Sequence, residues 1–164
     1  MSDVDVAALK RLVGEIGRLR GWDFGRVRLG RGPVPWDYSE VVKRVLTPTD
    51  RVLDVGTGGG EVFPSLAPAF REGIGVNISP VMAATADENA LARMIGTVTF
   101  QVMATHDPPL DEAAFDIVLN RHAGVFAGQV VRVLSPGGYF ITQQVAGRNA
   151  QSIYSAFGWG STGA

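Results

Sequence analysis

Apolar side chains near the start of the chain recur at helical spacing. Val6, Leu9, Leu12, Val13, Ile16 and Leu19 fall on one face, with Lys10, Arg11 and Arg18 off it. The spacing predicts an amphipathic helix over residues 4–20, weakened by Gly14 and Gly17. Residues 21–37, rich in Gly, Pro and Trp, predict a long connection, and 38–46 (YSEVVKRVL) a second helix ended near Thr47-Pro48. Beyond it the period alternates. Short β-rich runs at 51–55, 74–78, 97–103, 115–119 and 139–145 predict strands, and helical segments at 61–70, 79–94 and 125–134 fall between them. Pro64 and Pro68 disturb the first of these helices, Ser79-Pro80 is a good N-cap and first-turn pair for the second, and Ser135-Pro136-Gly137-Gly138 predicts a turn after the third. Strands separated by helices predict right-handed βαβ units. The expected fold is α/β and Rossmann-like: a mainly parallel, doubly wound sheet of about five strands with an N-terminal helical extension.

Residues 51–60, RVLDVGTGGG, carry the densest chemical signal. Gly56, Gly58, Gly59 and Gly60 follow the first strand, and a helix start, Glu61-Val62-Phe63, follows them. Strand, glycine turn and helix bring backbone N–H groups and a helix N-terminus against a nucleotide cofactor. Glycine is expected there because a Cβ would block both the tight turn and the ligand's approach. The dinucleotide spacing G-x-G-x-x-G fails by one residue, since position 61 is Glu. Asp54, two residues before the first glycine, would repel a pyrophosphate but suits a ligand bearing an amino group and a sulfonium.

The other strand ends are candidate sites, because ligands in such sheets sit at the carboxyl ends of the strands. The second strand ends at Asn77-Ile78, where a ribose-binding side chain is expected; Asn77 can accept from and donate to a hydroxyl, or it can cap the turn into the next helix. The third ends at Met103-Ala104-Thr105, where an adenine edge could meet backbone or the Thr105 hydroxyl. The fourth ends at Asn120-Arg121-His122, facing the centre of the cleft.

Composition narrows the classes. The chain has 164 residues, enough for one domain, and a net charge of −1, which gives no preference for polyanions such as nucleic acid. Cysteine is absent, which excludes disulfides and thiolate metal sites, and neither histidine has partners at metal-ligand spacing. The start, MSDVDVAALK, carries acid where a signal peptide carries base, and no apolar run approaches membrane length, so a cytoplasmic protein is expected.

Four segments together, VLDVGTGGGEVF, GVNISP, FDIVLNRH and RVLSPGGYFITQQV, resemble the class I S-adenosylmethionine-dependent methyltransferases in order and spacing over residues about 36–148. The likeness is to small-molecule enzymes of the methyltransferase-11 kind, and GWDF, PWDY, TGGGE, NRH and TQQV are similar to the pattern of one bacterial subgroup. The resemblance implies S-adenosylmethionine as cofactor and S-adenosylhomocysteine as product. It implies that Gly56, Thr57, Gly58, Gly59 and Gly60 hold the methionine moiety beside Asp54, that Asn77 and Ile78 meet the ribose, that Ala104 and Thr105 flank adenine, and that Asn120 and Arg121 line the methionine side. The family usually has an acid where Asn77 stands and commonly one at the adenine position. Its sheet has seven strands ordered 3-2-1-4-5-7-6, whereas five strands are predicted here. The fifth strand is therefore expected to be an exposed edge, covered by a second copy or another segment, in a domain over 38–164 that is short relative to the family.

Methyl transfer is a displacement at a carbon already activated by the sulfonium, so positioning, worth about 7–11 kcal/mol, is the main task. A base is needed only if the nucleophile must lose a proton; His122 is the candidate, while His106, beside Asp107 and two prolines, reads as surface loop. Trp22, Phe24, Trp36 and Tyr38 could wall a small-molecule pocket or pin the N-terminal segment to the core, and Tyr38 is expected near the cofactor. Arg20, Arg26, Arg28 and Arg31 read as a solvated loop, and Asp116 as structural. The leading reading is a methyltransferase acting on a small-molecule acceptor, with residues 1–37 as a lid. The alternative is a non-catalytic cofactor-binding module that acts with a partner chain. A nicotinamide-dependent oxidoreductase is a third reading, disfavoured by Glu61.

Overall fold

The structure, a computed structural model, describes residues 35–104 and 106–146 together with Ala7 and Arg11. Of the predicted first helix only Ala7 and Arg11 are described, and both are helical. Trp22 and Phe24, and Arg26, Arg28 and Arg31 of the predicted 21–37 connection, lie outside the described residues.

The elements follow the alternation of the sequence: α1 (Tyr38–Lys43), β1 (Arg51–Val55), α2 (Phe63–Leu66), β2 (Glu72–Asn77), α3 (Pro80–Ala92), β3 (Val98–Val102), β4 (Phe115–Arg121), α4 (Ala127–Val133) and β5 (Leu134–Gln143). The strands form one sheet in the order β3-β2-β1-β4-β5, and every pairing is parallel. β1 and β4 occupy the centre and are buried on both faces. Val52, Ile117 and Leu119 join one core cluster with Phe63, Phe70 and Phe100, while Leu53 and Val118 join the other with Val76, Phe115 and Val133. Alternate residues thus enter opposite clusters, as expected for strands covered on both sides.

Beyond shifts of one or two residues at strand and helix ends, three predicted boundaries differ from the structure. The expected 61–70 helix is α-helical only over Phe63–Leu66 and continues as a 3-10 turn over Ala67–Ala69, because Pro64 and Pro68 fit only first-turn positions. The second predicted helix stops at Lys43, not near 46. The predicted Ser135–Gly138 turn lies inside β5. There the register slips between Phe115↔Leu134 and Ile117↔Tyr139, with Gly137 at φ +82°, so α4 passes directly into β5. Ser79 caps α3 as expected, its hydroxyl accepting from the Met82 amide at 3.4 Å.

Candidate functional site

Strand order reverses between β1 and β4: the chain leaves β1 toward β2 on one side and leaves β4 toward β5 on the other. In doubly wound sheets the ligand crevice lies at the carboxyl ends of the two strands flanking such a point, where here Asp54 pairs with Leu119 and Val55 with Asn120. The glycine bend rises directly from β1. The Gly56 and Thr57 amides both donate to the Val76 carbonyl, at 2.9 and 3.1 Å, and the Gly60 amide donates to the Thr57 carbonyl at 3.2 Å. The Thr57 side chain turns toward β2, so that a Cβ on Gly75 would lie 3.0 Å from its hydroxyl. Thr57 therefore shapes the bend from within. Among the described residues the Gly58 and Gly59 amides have no backbone acceptor, and these are the two N–H groups the bend leaves available.

At two positions the tight turn requires glycine as expected, and close packing within the protein adds a second reason. A Cβ on Gly56 would lie 2.3 Å from the Ala123 Cβ, and one on Gly60 2.9 Å from the Ala86 Cβ. At both, close approach of the protein itself excludes a side chain, and positive φ values of +77° and +69° exclude it independently.

Asp54 is 9 % exposed. Burial raises its carboxyl to about 6, against weaker downward pulls from the Thr57 hydroxyl and the Arg121 guanidinium. The Thr57 hydroxyl falls outside hydrogen-bond geometry, so burial governs the carboxyl. The Tyr38 hydroxyl is buried and has no hydrogen-bond partner among the described residues. Burial and the Asp54 charge push it upward, and Arg121 acts in the opposite direction. Arg121 lies with its guanidinium carbon 5.9 Å from the Tyr38 ring centroid and donates from Nε to Gln143 Oε1 at 3.0 Å. Tyr38, Asp54 and Arg121 thus form one electrostatic group at the head of the crevice.

Asn120 is 1 % exposed. Its Nδ2 donates to the Gly124 carbonyl at 3.2 Å, and its Oδ1 accepts from Gln144 Nε2 at 2.7 Å. Gln144 Nε2 also lies 3.2 Å from the Ala123 carbonyl and 2.9 Å from Thr142 Oγ1. His122 stands in the turn so held, exposed, at φ +61°, its amide donating to the Gln143 carbonyl at 2.9 Å. Gln143 and Gln144 were not among the expected site residues. The signal that could have found them is a pair of amides closing a strand at the same sheet end as Asn120 and Arg121.

The remaining expected positions are spread along the β2 and β3 ends. Asn77 Oδ1 accepts from the Ser79 amide at 2.9 Å, the capping role, which leaves Nδ2 as its available group. Ile78 is 71 % exposed, and Ala104 is half-buried beyond β3. Thr105 lies outside the described residues. His106 is exposed and packs edge-on against Phe126, 6.0 Å between ring centroids. Asp116 accepts from the Arg51 amide at 2.8 Å, a structural bond. No group of metal-ligating side chains occurs among the described residues.

Cavities among the described residues flank the sheet on two sides. One, of about 400 Å³, opens at the amino ends of the strands around Arg51, Gly73, Thr97 and Phe115, remote from the crevice. The other, of about 350 Å³, lies between α1 and the end of β5, walled by Trp36, Tyr38, Val41 and Ile141 with Gln143 and Gln144 at its polar side. It adjoins the crevice through Tyr38.

The sheet order and the crevice define a doubly wound α/β domain of the Rossmann-like class. Residues 53–142, more than half of the chain, match the family model described as a methyltransferase domain. The chain belongs to this methyltransferase-domain family. The uncharacterised methyltransferase YcgJ of Bacillus subtilis is 31 % identical over 98 residues, covering 56 % of this chain and 39 % of that protein. Its crystal structure superposes with a TM-score of 0.61 at 26 % identity, covering 64 % of this chain and 49 % of that one. Aklanonic acid methyltransferase DauC of Streptomyces is 29 % identical over 89 residues, 52 % of this chain and 40 % of that protein. A SAM-dependent methyltransferase from Aquifex aeolicus shares the fold at a TM-score of 0.61 and 19 % identity, covering 94 % of this chain and 88 % of that one. The chain spans roughly two fifths of the length of the curated relatives it matches. No helix among the described residues is long and apolar enough to cross a membrane.

Proposed function

We propose that this chain binds S-adenosylmethionine in the β1/β4 crevice and transfers its methyl group to a small-molecule acceptor. The observation that carries the reading is the buried group at the head of the crevice: an Asp54 carboxyl with, in its field, a Tyr38 hydroxyl that has no partner among the described residues. A buried hydroxyl without a partner costs free energy that a polar ligand would return, and a carboxylate there complements an ammonium or sulfonium. The available Gly58 and Gly59 amides and Asn77 Nδ2 fit the same ligand, toward its carboxylate and its ribose hydroxyls. When bound, the cofactor supplies a methyl group already activated by its sulfonium; the chain's own residues need only bind, orient and exclude water. His122 is exposed in its turn and is the candidate base where the acceptor must lose a proton. A small-molecule acceptor is supported by the family and by DauC, whose name gives such an acceptor. Residues 1–37 are proposed as the lid over this site.

A second reading is supported by the sheet edge. β5 pairs with β4, and among the described residues no strand lies beyond it. On this reading the domain holds the cofactor and works with a second chain, in the simplest case another copy paired through β5.

Calorimetric titration with S-adenosylhomocysteine and, separately, with NAD tests the first reading. We expect binding of the former and none of the latter; the reverse result removes the methyltransferase reading.

A further inference from the structure

The two motifs at the ends of β4 and β5 interlock residue against residue. Asn120 pairs with Thr142 and Arg121 with Gln143 in the strand register, and side-chain bonds join Asn120 to Gln144 and Arg121 to Gln143. The interlock fixes where the Arg121 guanidinium sits. Its Nε is held by Gln143 and its face lies over Tyr38, and both of these residues line the cavity between α1 and β5. Its two terminal nitrogens donate to no acceptor, and it takes part in no ion pair, among the described residues. The cavity beside it is apolar on the side of Trp36, Val41 and Ile141 and polar on the side of Thr142, Gln143 and Gln144.

A guanidinium anchored through Nε keeps its terminal N–H pair for a bidentate acceptor, and a carboxylate has the matching geometry. Ligand sites of this size are typically apolar, with a few placed polar groups that fix orientation. We propose that the cavity between α1 and β5 is the acceptor-binding site and that it takes an apolar, ring-bearing carboxylic acid whose carboxylate meets Arg121. This deepens the methyltransferase reading and rests on it. It assigns Arg121 to the acceptor, where the family resemblance puts it beside the cofactor's methionine.

The test is calorimetry on the full chain, with and without saturating S-adenosylhomocysteine, using 2-naphthoate and its neutral counterpart 2-naphthamide as probes. The expected result is a preference for the carboxylate of about tenfold or more, the size of a charge-assisted bond. Arg121→Gln should abolish that preference. Val41→Trp, a change at a partly exposed wall, should exclude both probes and leave cofactor affinity unchanged. Equal affinity for the two probes, binding of neither, or a preference that survives Arg121→Gln overturns the proposal. So does a large loss of S-adenosylhomocysteine affinity in Arg121→Gln with naphthoate binding intact, which returns Arg121 to the cofactor. Failure of the unsubstituted chain to bind S-adenosylhomocysteine defeats the underlying methyltransferase reading instead, and the probe titrations without cofactor still report on the cavity.

Discussion

Asp54 carries a conflict between folding and binding. Its carboxyl, ordinarily near 3.8, is raised to about 6 by burial. Between those values the folded chain binds a proton that the unfolded chain has released, so stability falls as pH rises through this window and is level above it. At about 1.4 kcal/mol per unit the cost at neutral pH is about 3 kcal/mol. Asp54→Asn should therefore raise unfolding free energy by that order at pH 8, with the gain vanishing below pH 4, as read by denaturant titration at both values. The same change should weaken S-adenosylhomocysteine binding, because it removes the charge that complements the ligand's ammonium. A variant that is no more stable at pH 8 would show that ionised Asp54 carries no such cost. Gly56 makes a separate prediction. With its left-handed φ and Ala123 at 2.3 Å from any added Cβ, Gly56→Ala should cost about 2–3 kcal/mol. Gly96→Ala, with nothing within 4 Å, should stay within about 0.5 kcal/mol.

The elements were legible where one physical rule decided them, and their junctions were not. β1 and β4 declared themselves as apolar runs because both faces are covered, and α3 did so through Ser79-Pro80. The α4–β5 junction was misread because Ser135-Pro136-Gly137-Gly138 carries turn chemistry, yet tertiary pairing draws those residues into a bulge within β5. The site was legible in the same uneven way. Asp54, the glycine bend and the NRH ending are local patterns and fell at the switch point as expected. The need for glycine at 56 lies in Ala123, which is distant in sequence, and Gln144 acts across a strand pairing that no local pattern encodes. That clasp is measurable. Asn120 is buried with each end of its amide engaged, one of them by Gln144. A double-mutant cycle with Asn120→Ala and Gln144→Ala should give a coupling of about 1 kcal/mol in unfolding free energy, where distant, independent sites would simply add. Additive effects would mean that Gln144 does not hold the β4 turn.

At the scale of the whole molecule, the sheet has two outer strands of unequal exposure. β3 is five residues long and β5 is ten. The longer edge offers more unpaired backbone groups and the stronger template for pairing. The Gln143 carbonyl accepts from the His122 amide, so Gln143 faces β4, and the alternation of the strand turns the Thr142 amide outward. Thr142→Pro would remove an outward donor while leaving the β4 ladder intact, and it would also break the short Thr142–Gln144 contact. Thr142→Val keeps the amide and loses only that contact, so the pair of variants separates edge pairing from local damage. If two copies meet along β5, sedimentation should give a dimer for the unsubstituted chain and for Thr142→Val, and a monomer for Thr142→Pro with its melting transition retained. A monomeric unsubstituted chain would exclude pairing between copies at this edge. Dimers in all three would place the contact elsewhere. Because the β5 end also forms the polar side of the acceptor cavity through Gln143 and Gln144, pairing there would couple assembly to the cavity's geometry. Probe affinity should then fall with dilution through the dimer's dissociation range in the unsubstituted chain, and stay independent of concentration in Thr142→Pro.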